Sequence, residues 1–194
     1  MITDRKAIVI TGASTGIGKA TALHLDSLGF RVFAGVRKEA DAEALKIEAS
    51  SGLTPINLDV TDRDSIAAAV EMVARETGGT LFGLVNNAGV SLNGPLELVP
   101  AAEIEKLMDV NVLGLLAVTQ AFIPLLRKGK GRLINISSGH GLLAVPDKSV
   151  YAASKFAVQA ITDSLRVELR PFDVCVSTIV VGKVDTAVLG KIIS

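Results

Sequence analysis

A doubly wound α/β fold, one parallel sheet with helices on both faces, is the architecture this sequence predicts, and three observations predict it. Short apolar segments alternate six times with longer segments whose apolar residues recur at helical spacing. The short segments are apolar throughout rather than at every second residue, as strands buried on both faces are. Polar clusters at residues 11–18, 36–37, 59–60, 86–89 and 137–138 all follow those segments. They therefore share the carboxyl edge of the sheet, where such folds bind ligands.

The first strand, residues 7–10 (AIVI), runs into Thr11 and then into glycines at Gly12, Gly16 and Gly18, with Ser14, Thr15 and Ile17 between them. Residues 19–28 carry apolar positions at helical spacing, so the order is strand, tight turn, helix. Such a turn aims free backbone N–H groups and the positive end of a helix at one point, which suits a pyrophosphate. The spacing Gly-x-x-x-Gly-x-Gly differs from the Gly-x-Gly-x-x-Gly fingerprint. A close helix–sheet contact would ask for the same glycines.

Residues 31–36 (RVFAGV) form a second strand, and residues 41–49 a helix closed by Ser50, Ser51 and Gly52. The third strand, residues 53–58, ends at Asp59, Val60 and Thr61. Asp62 then caps a helix with Ile66, Val70 and Val73 on its apolar face, which stops at Gly78 and Gly79. The fourth strand, residues 81–85, runs into Asn86, Asn87, Ala88 and Gly89. A loop through Pro95 and Pro100 leads to a long helix over about 101–127, which Pro124 should bend near its end. Strand five (132–136), a second long helix (150–170) and strand six (174–181) complete the order.

Composition narrows the function classes. The 194 residues predict a single domain over 1–194, and 49% hydrophobic residues with a mean hydropathy of +0.47 supply a large core. Twenty basic residues balance twenty acidic ones without a charged block, so nothing favours a nucleic-acid or membrane-surface partner. The one cysteine, Cys175, excludes an internal disulfide and is expected in the core. No metal site is expected. With no leader-like segment at the start and no uncharged apolar run of ~18 residues, the expectation is a cytoplasmic protein without a membrane partner.

Tyr151 and Lys155 lie four apart at a helix start and share one face. A free phenol has a pKa of about 10, and a nearby cation lowers it. A shift of ~3 units needs ~4 kcal/mol, which one charge at ~4 Å supplies at an effective dielectric near 20 but not in bulk water. The pair therefore works only in a partly dry site. Alone, Tyr-x-x-x-Lys also fits an ordinary helix start with a solvated lysine. Ser138, thirteen residues upstream at the end of strand five, can hold the same substrate oxygen as the tyrosine. Asn111 is an unfavourable residue in mid-helix and marks a point where the backbone opens to hold water.

Together these motifs resemble the short-chain dehydrogenase/reductase superfamily from residue 6 to about 186. Thr11-Gly12-x-x-x-Gly16-Ile17-Gly18 is similar to its cofactor turn and Asn86-Asn87-Ala88-Gly89 to its strand-four motif. Asn111, Ser138, Tyr151 and Lys155 fall where its catalytic tetrad falls. The resemblance implies a Rossmann-like domain that moves a hydride between NAD(P)(H) and an alcohol or ketone. Tyr151 would be the acid/base. Lys155 would lower its pKa and bind the nicotinamide ribose, Ser138 would hold substrate, and Asn111 would anchor a relay water. Cofactor contacts would come from Gly12, Ser14, Thr15, Gly16, Ile17, Gly18, Arg37, Asp59, Val60, Asn87, Ala88, Gly89, Tyr151, Lys155, Val184 and Thr186. Two departures stand out: Val181-Gly182 replaces the usual Pro-Gly, and the chain ends where a substrate-covering helix pair and seventh strand would follow, as in a truncated member. Strand six would then be an exposed apolar edge.

Residues 150–156 and 165–169 resemble the branch acting on steroids, retinoids and similar apolar alcohols. Leu142, Leu143, Ala144 and Val145 add an apolar rim, and His140 either lines the pocket or fills its loop. A fatty-acyl ketoreductase is the nearest alternative, and a nucleotide-binding regulator without chemistry is the alternative of another class. NADP is the expected cofactor ahead of NAD: Val36 ends strand two where a carboxylate would hold NAD, and basic Arg37 and Lys38 follow. Apolar positions on the two long helices (Leu113, Leu116, Val118, Phe122, Phe156, Ile161, Leu165) exceed what one sheet face covers, so a homodimer or homotetramer is expected.

Overall fold

The computed structural model describes residues 5–182. Six strands form one parallel sheet: β1 (Ala7–Ile10), β2 (Arg31–Val36), β3 (Leu53–Asn57), β4 (Gly83–Asn86), β5 (Arg132–Ser138) and β6 (Cys175–Val181). Their order is β3-β2-β1-β4-β5-β6, so the strand order reverses between β1 and β4. Ligands of such sheets bind at that reversal. The helices α1 (Gly16–Ser27), α2 (Glu39–Glu48), α3 (Arg63–Thr77), α4 (Ala101–Met108), α5 (Leu115–Gly129) and α6 (Ser149–Glu168) connect them.

The continuous apolar strands are explained by a core on each face. Ala7 and Val9 of β1 join Phe33, Leu84, Phe122, Leu126 and Leu133 on one side. Ile8 and Ile10 join Val32, Ala34, Ala22 and Leu45 on the other. Alternate residues point to opposite faces, and the central strands β1, β2 and β4 are buried on both. Asp62 caps α3 as expected, its carboxylate accepting from the backbone of Asp64 and Ser65 at 2.9 and 3.3 Å.

Two expectations are corrected here. Cys175 is exposed rather than in the core, because among the described residues β6 is the edge strand and only its Val176 is buried. Ile179 and Val180 of the same strand are also exposed. Val118 and Phe122 are fully buried in α5 and add nothing to the apolar surface, whereas Leu113, Leu116 and Phe156 do face solvent. The long helix runs from Ala101 through Pro124 to Gly129, and its interruption falls at Asp109–Gly114, a π-helical turn centred on Asn111. This stretch has the length and hydropathy of a membrane span, yet more than half of its most apolar window is buried inside the fold.

Candidate active site

The glycine turn is built around Thr11. Its N–H donates to Val85 O at 3.0 Å, and its hydroxyl accepts from the N–H groups of Asn87 and Ala88, each at 3.0 Å. The Asn87 amide donates to the carbonyls of Thr11 and Gly12 at 2.9 and 3.0 Å. Gly12 has a φ of 65°, and a Cβ on Gly18 would lie 2.3 Å from the Gly12 carbonyl oxygen. Those two glycines therefore let α1 and the strand-four loop close on the turn. The glycines make the tight internal contact that the sequence allowed for, and that contact places the start of α1 beside the strand-four loop. Thr15, the residue before α1, places no side chain over the first-turn N–H groups. An uncapped helix start behind a close-packed turn fits a dinucleotide pyrophosphate.

The other cofactor positions lie along the same edge. Ser14 and Ile17 are half-buried and Thr15 is exposed beside Gly16. Asp59, after β3, accepts from the Thr61 N–H and hydroxyl at 3.0 and 2.8 Å, and Val60 is buried. Arg37 is exposed directly after β2, ahead of Lys38. Gly89 is exposed beyond β4. Val184 and Thr186 lie outside the described residues.

Ser138, Tyr151 and Lys155 are brought together by the end of β5 and the first turns of α6. Lys155 is buried, its Nζ donating to Ile136 O at 3.0 Å and lying 5.8 Å from the Tyr151 ring centre. Burial lowers its pKa to about 8, so it is still mainly an ammonium at neutral pH. The expected depression of the tyrosine is absent. Burial raises the phenol above its ordinary value of 10, and the facing Ser138 hydroxyl offsets part of that rise. The phenol's own burial outweighs the other influences, and the Lys155 ammonium is bonded to the Ile136 carbonyl.

Asn111 is almost fully buried, and its amide is committed within the protein. Oδ1 accepts from Val90 N at 2.8 Å, and Nδ2 donates to Val90 O at 2.9 Å and to Ser154 Oγ at 3.1 Å. Ser154 in turn donates to Tyr151 O at 2.7 Å. The side chain thus locks the strand-four loop to α6. His140 packs beside these residues: its ring lies edge-on to Tyr151, 5.7 Å between ring centres, with Nδ1 3.4 Å from Ser138 Oγ. Leu142 and Val145 are exposed on the segment that follows.

The sequence matches the family described as short chain dehydrogenase over residues 6–194. The chain belongs to the short chain dehydrogenase family. It is 42% identical over 190 residues to human retinol dehydrogenase 16, covering 96% of this chain and 59% of that protein. It is 39% identical over 184 residues to rat mitochondrial D-beta-hydroxybutyrate dehydrogenase, covering 91% and 54%. Among solved structures, it resembles the 3-ketoacyl-(acyl-carrier-protein) reductase of Brucella melitensis complexed with NADH. The TM-score is 0.91 at 27% identity, over 96% of this chain and 79% of that one. ElxO with NADP bound gives a TM-score of 0.90 at 28% identity, over 96% and 77%. The chain spans little more than half the length of these two curated relatives.

Two parts of this site were not legible in the sequence. One is a buried ladder beneath it: Asn86 Nδ2 donates to Thr119 Oγ1 and Asn135 Oδ1, and Asn135 Nδ2 to Thr162 Oγ1. It ties β4, β5, α5 and α6 together at 2.8–2.9 Å. The other is Lys148, whose Nζ is 5.6 Å from the Tyr151 ring centre. It lies immediately before α6, three residues ahead of Tyr151, and that proximity was the available signal.

Proposed function

We propose that this chain carries an NAD(P)-dependent oxidoreductase active on a secondary alcohol or ketone with an apolar body. The carrying observation is the convergence of Ser138, Tyr151 and buried Lys155 on the sheet edge that holds the uncapped start of α1. The substrates named for human retinol dehydrogenase 16 and rat D-beta-hydroxybutyrate dehydrogenase are both alcohols, and the solved neighbours carry NADH or NADP. Exposed leucines at Leu142 and Leu143 favour an apolar body. An exposed free thiol at Cys175 suits a reducing, cytoplasmic setting.

A nicotinamide cofactor, when bound, supplies the hydride acceptor or donor. The chain's own residues handle the oxygen. The Ser138 hydroxyl donates to the substrate oxygen and sets its distance from Tyr151. Burial keeps the phenol protonated, so in the reductive direction Tyr151 delivers its proton to that oxygen as the hydride reaches carbon. In the oxidative direction the same phenol must first lose its proton, which the Lys155 ammonium favours once the site is dry. Asn111 keeps the Val90 loop and α6 in register so that these distances hold.

A spectrophotometric scan of apolar ketones and alcohols with NADPH and NADH tests this reading. Turnover of a ketone or secondary alcohol is expected. Cofactor binding without turnover of any of them would favour a nucleotide-binding regulator.

A further inference from the structure

Below the catalytic pair, α6 is tied to β5 a second time. Lys155, Val158 and Thr162 share one buried face of the helix. Lys155 Nζ donates to the Ile136 carbonyl at 3.0 Å. Thr162 lies about 10 Å further along the helix axis, and its Oγ1 accepts from the Asn135 side-chain amide at 2.8 Å. The Thr162 hydroxyl itself donates to Val158 O at 2.7 Å, so its orientation is fixed from within α6. Asn135 is fixed from the sheet: Asn86, its register partner on β4, donates to Asn135 Oδ1 at 2.9 Å. Asn135 and Thr162 are both fully buried.

Stability alone does not explain this tie. Replacing two bonded buried groups by apolar groups of the same shape is close to neutral. The ladder also leaves Asn86 Oδ1 buried with no partner among the described residues. What an apolar pair cannot supply is direction. Apolar contact is non-directional and lets a helix slide over a sheet, whereas a hydrogen bond between two oriented groups holds both distance and angle. The upper tie is made by the ammonium that the chemistry draws on. The lower tie involves no reacting group, so it holds α6 independently of the state of Lys155. We propose that Asn135 and Thr162 are positioning residues, whose hydrogen bond fixes the height of α6 on β5 and so sets Tyr151 and Lys155 against Ser138 at the end of that strand.

The inference rests on the oxidoreductase reading above, and the test separates the two. Three quantities are measured: kcat and KM for a ketone that the wild type reduces, urea unfolding, and the titration of Lys155 by NMR of the cofactor-free protein. The Lys155 signal is the one absent from Lys155→Met. Thr162→Val should lower kcat about 10- to 100-fold with KM nearly unchanged, as a displacement of ~1 Å does. Its Lys155 should titrate above the wild-type value of about 8, as a less tightly enclosed lysine does. Asn135→Leu combined with Thr162→Val makes the pair apolar and should regain stability, but neither kcat nor the titration. Thr162→Ser keeps the hydroxyl and should restore both. Thr119→Val removes a bond of the same ladder from α5 and should leave the Lys155 titration in place. If Thr162→Val does not fold, the double variant and Thr162→Ser carry the comparison. Wild-type kcat and titration in the double variant, or an equal shift in Thr119→Val, overturns the proposal, since a ladder serving only the core predicts either. If the wild type reduces no ketone, the oxidoreductase reading fails and the titration alone decides. A shift that Thr162→Ser reverses supports the positioning role, and no shift overturns it.

Discussion

At the scale of single residues, Tyr151 and Lys155 are the two groups whose chemistry depends most on burial. Replacing Tyr151 by Phe removes one oxygen from a half-buried ring and leaves the glycine turn untouched. Turnover should fall by far more than tenfold while cofactor affinity, read by fluorescence titration, stays close to wild type. A variant retaining a tenth of wild-type turnover would sink the acid/base assignment. Lys155 sets a pH dependence. Its proton is lost at about pH 8 in the folded chain, against 10.5 for an unperturbed lysine. Between those values the unfolded chain binds more protons, so this group makes stability rise with pH across that window. Below about pH 8 the buried ammonium costs the fold roughly 3 kcal/mol relative to the unfolded chain. The stability of Lys155→Met relative to wild type should therefore be higher at pH 7 than at pH 10, as urea unfolding of the cofactor-free protein at both values will show. A gap that is independent of pH contradicts this account.

At the scale of elements, the turn between β1 and α1 is the tightest joint in the fold. Ala at position 18 would put a methyl group 2.3 Å from one backbone oxygen and 2.4 Å from the Asn87 amide. Neither can move without breaking the hydrogen bonds that join β1 to β4. Gly18→Ala should cost about 1–3 kcal/mol in urea unfolding and weaken both cofactors together, because it displaces the helix start rather than a cofactor-specific contact. The π-helical turn at Asn111 is a second special element. The sequence expectation was a long helix opened at Asn111 and bent at Pro124, with propensity as the only signal for the opening. What opens the helix is tertiary: the amide reaches Val90, twenty-one residues away, and Ser154, forty-three away.

At the scale of the whole molecule, two properties remain to be measured. Cofactor choice turns on the end of β2, where Val36 is buried and offers no hydrogen bond while Arg37 is exposed. NADPH should bind more tightly than NADH. Arg37→Ala should weaken NADPH by about 10- to 100-fold, the worth of a charge-assisted hydrogen bond, and leave NADH nearly unchanged. Equal or tighter binding of NADH by the wild type would refute the preference. Assembly is the other property. Leu113, Leu116, Phe156 and Val167 are all at least 40% exposed on the long helices. Exposed apolar surface of this kind marks a protein contact. Light scattering should report a homodimer or homotetramer; a stable species at the 20.2 kDa chain mass would rule it out.

The sequence by itself determined the layer architecture, the carboxyl edge where the site lies, the glycine turn and the shared face of Tyr151 and Lys155. Each of these follows from local periodicity or from the steric demands of a few adjacent residues, which act within one or two turns of chain. Only the tertiary structure decided the protonation of Tyr151, the solvent exposure of Cys175 on the edge strand, and the union of Lys148 with Ser91 and Asn93, fifty-seven and fifty-five residues away. Desolvation and long-range hydrogen bonding depend on which distant segments exclude water from a group, and chain spacing carries no record of that.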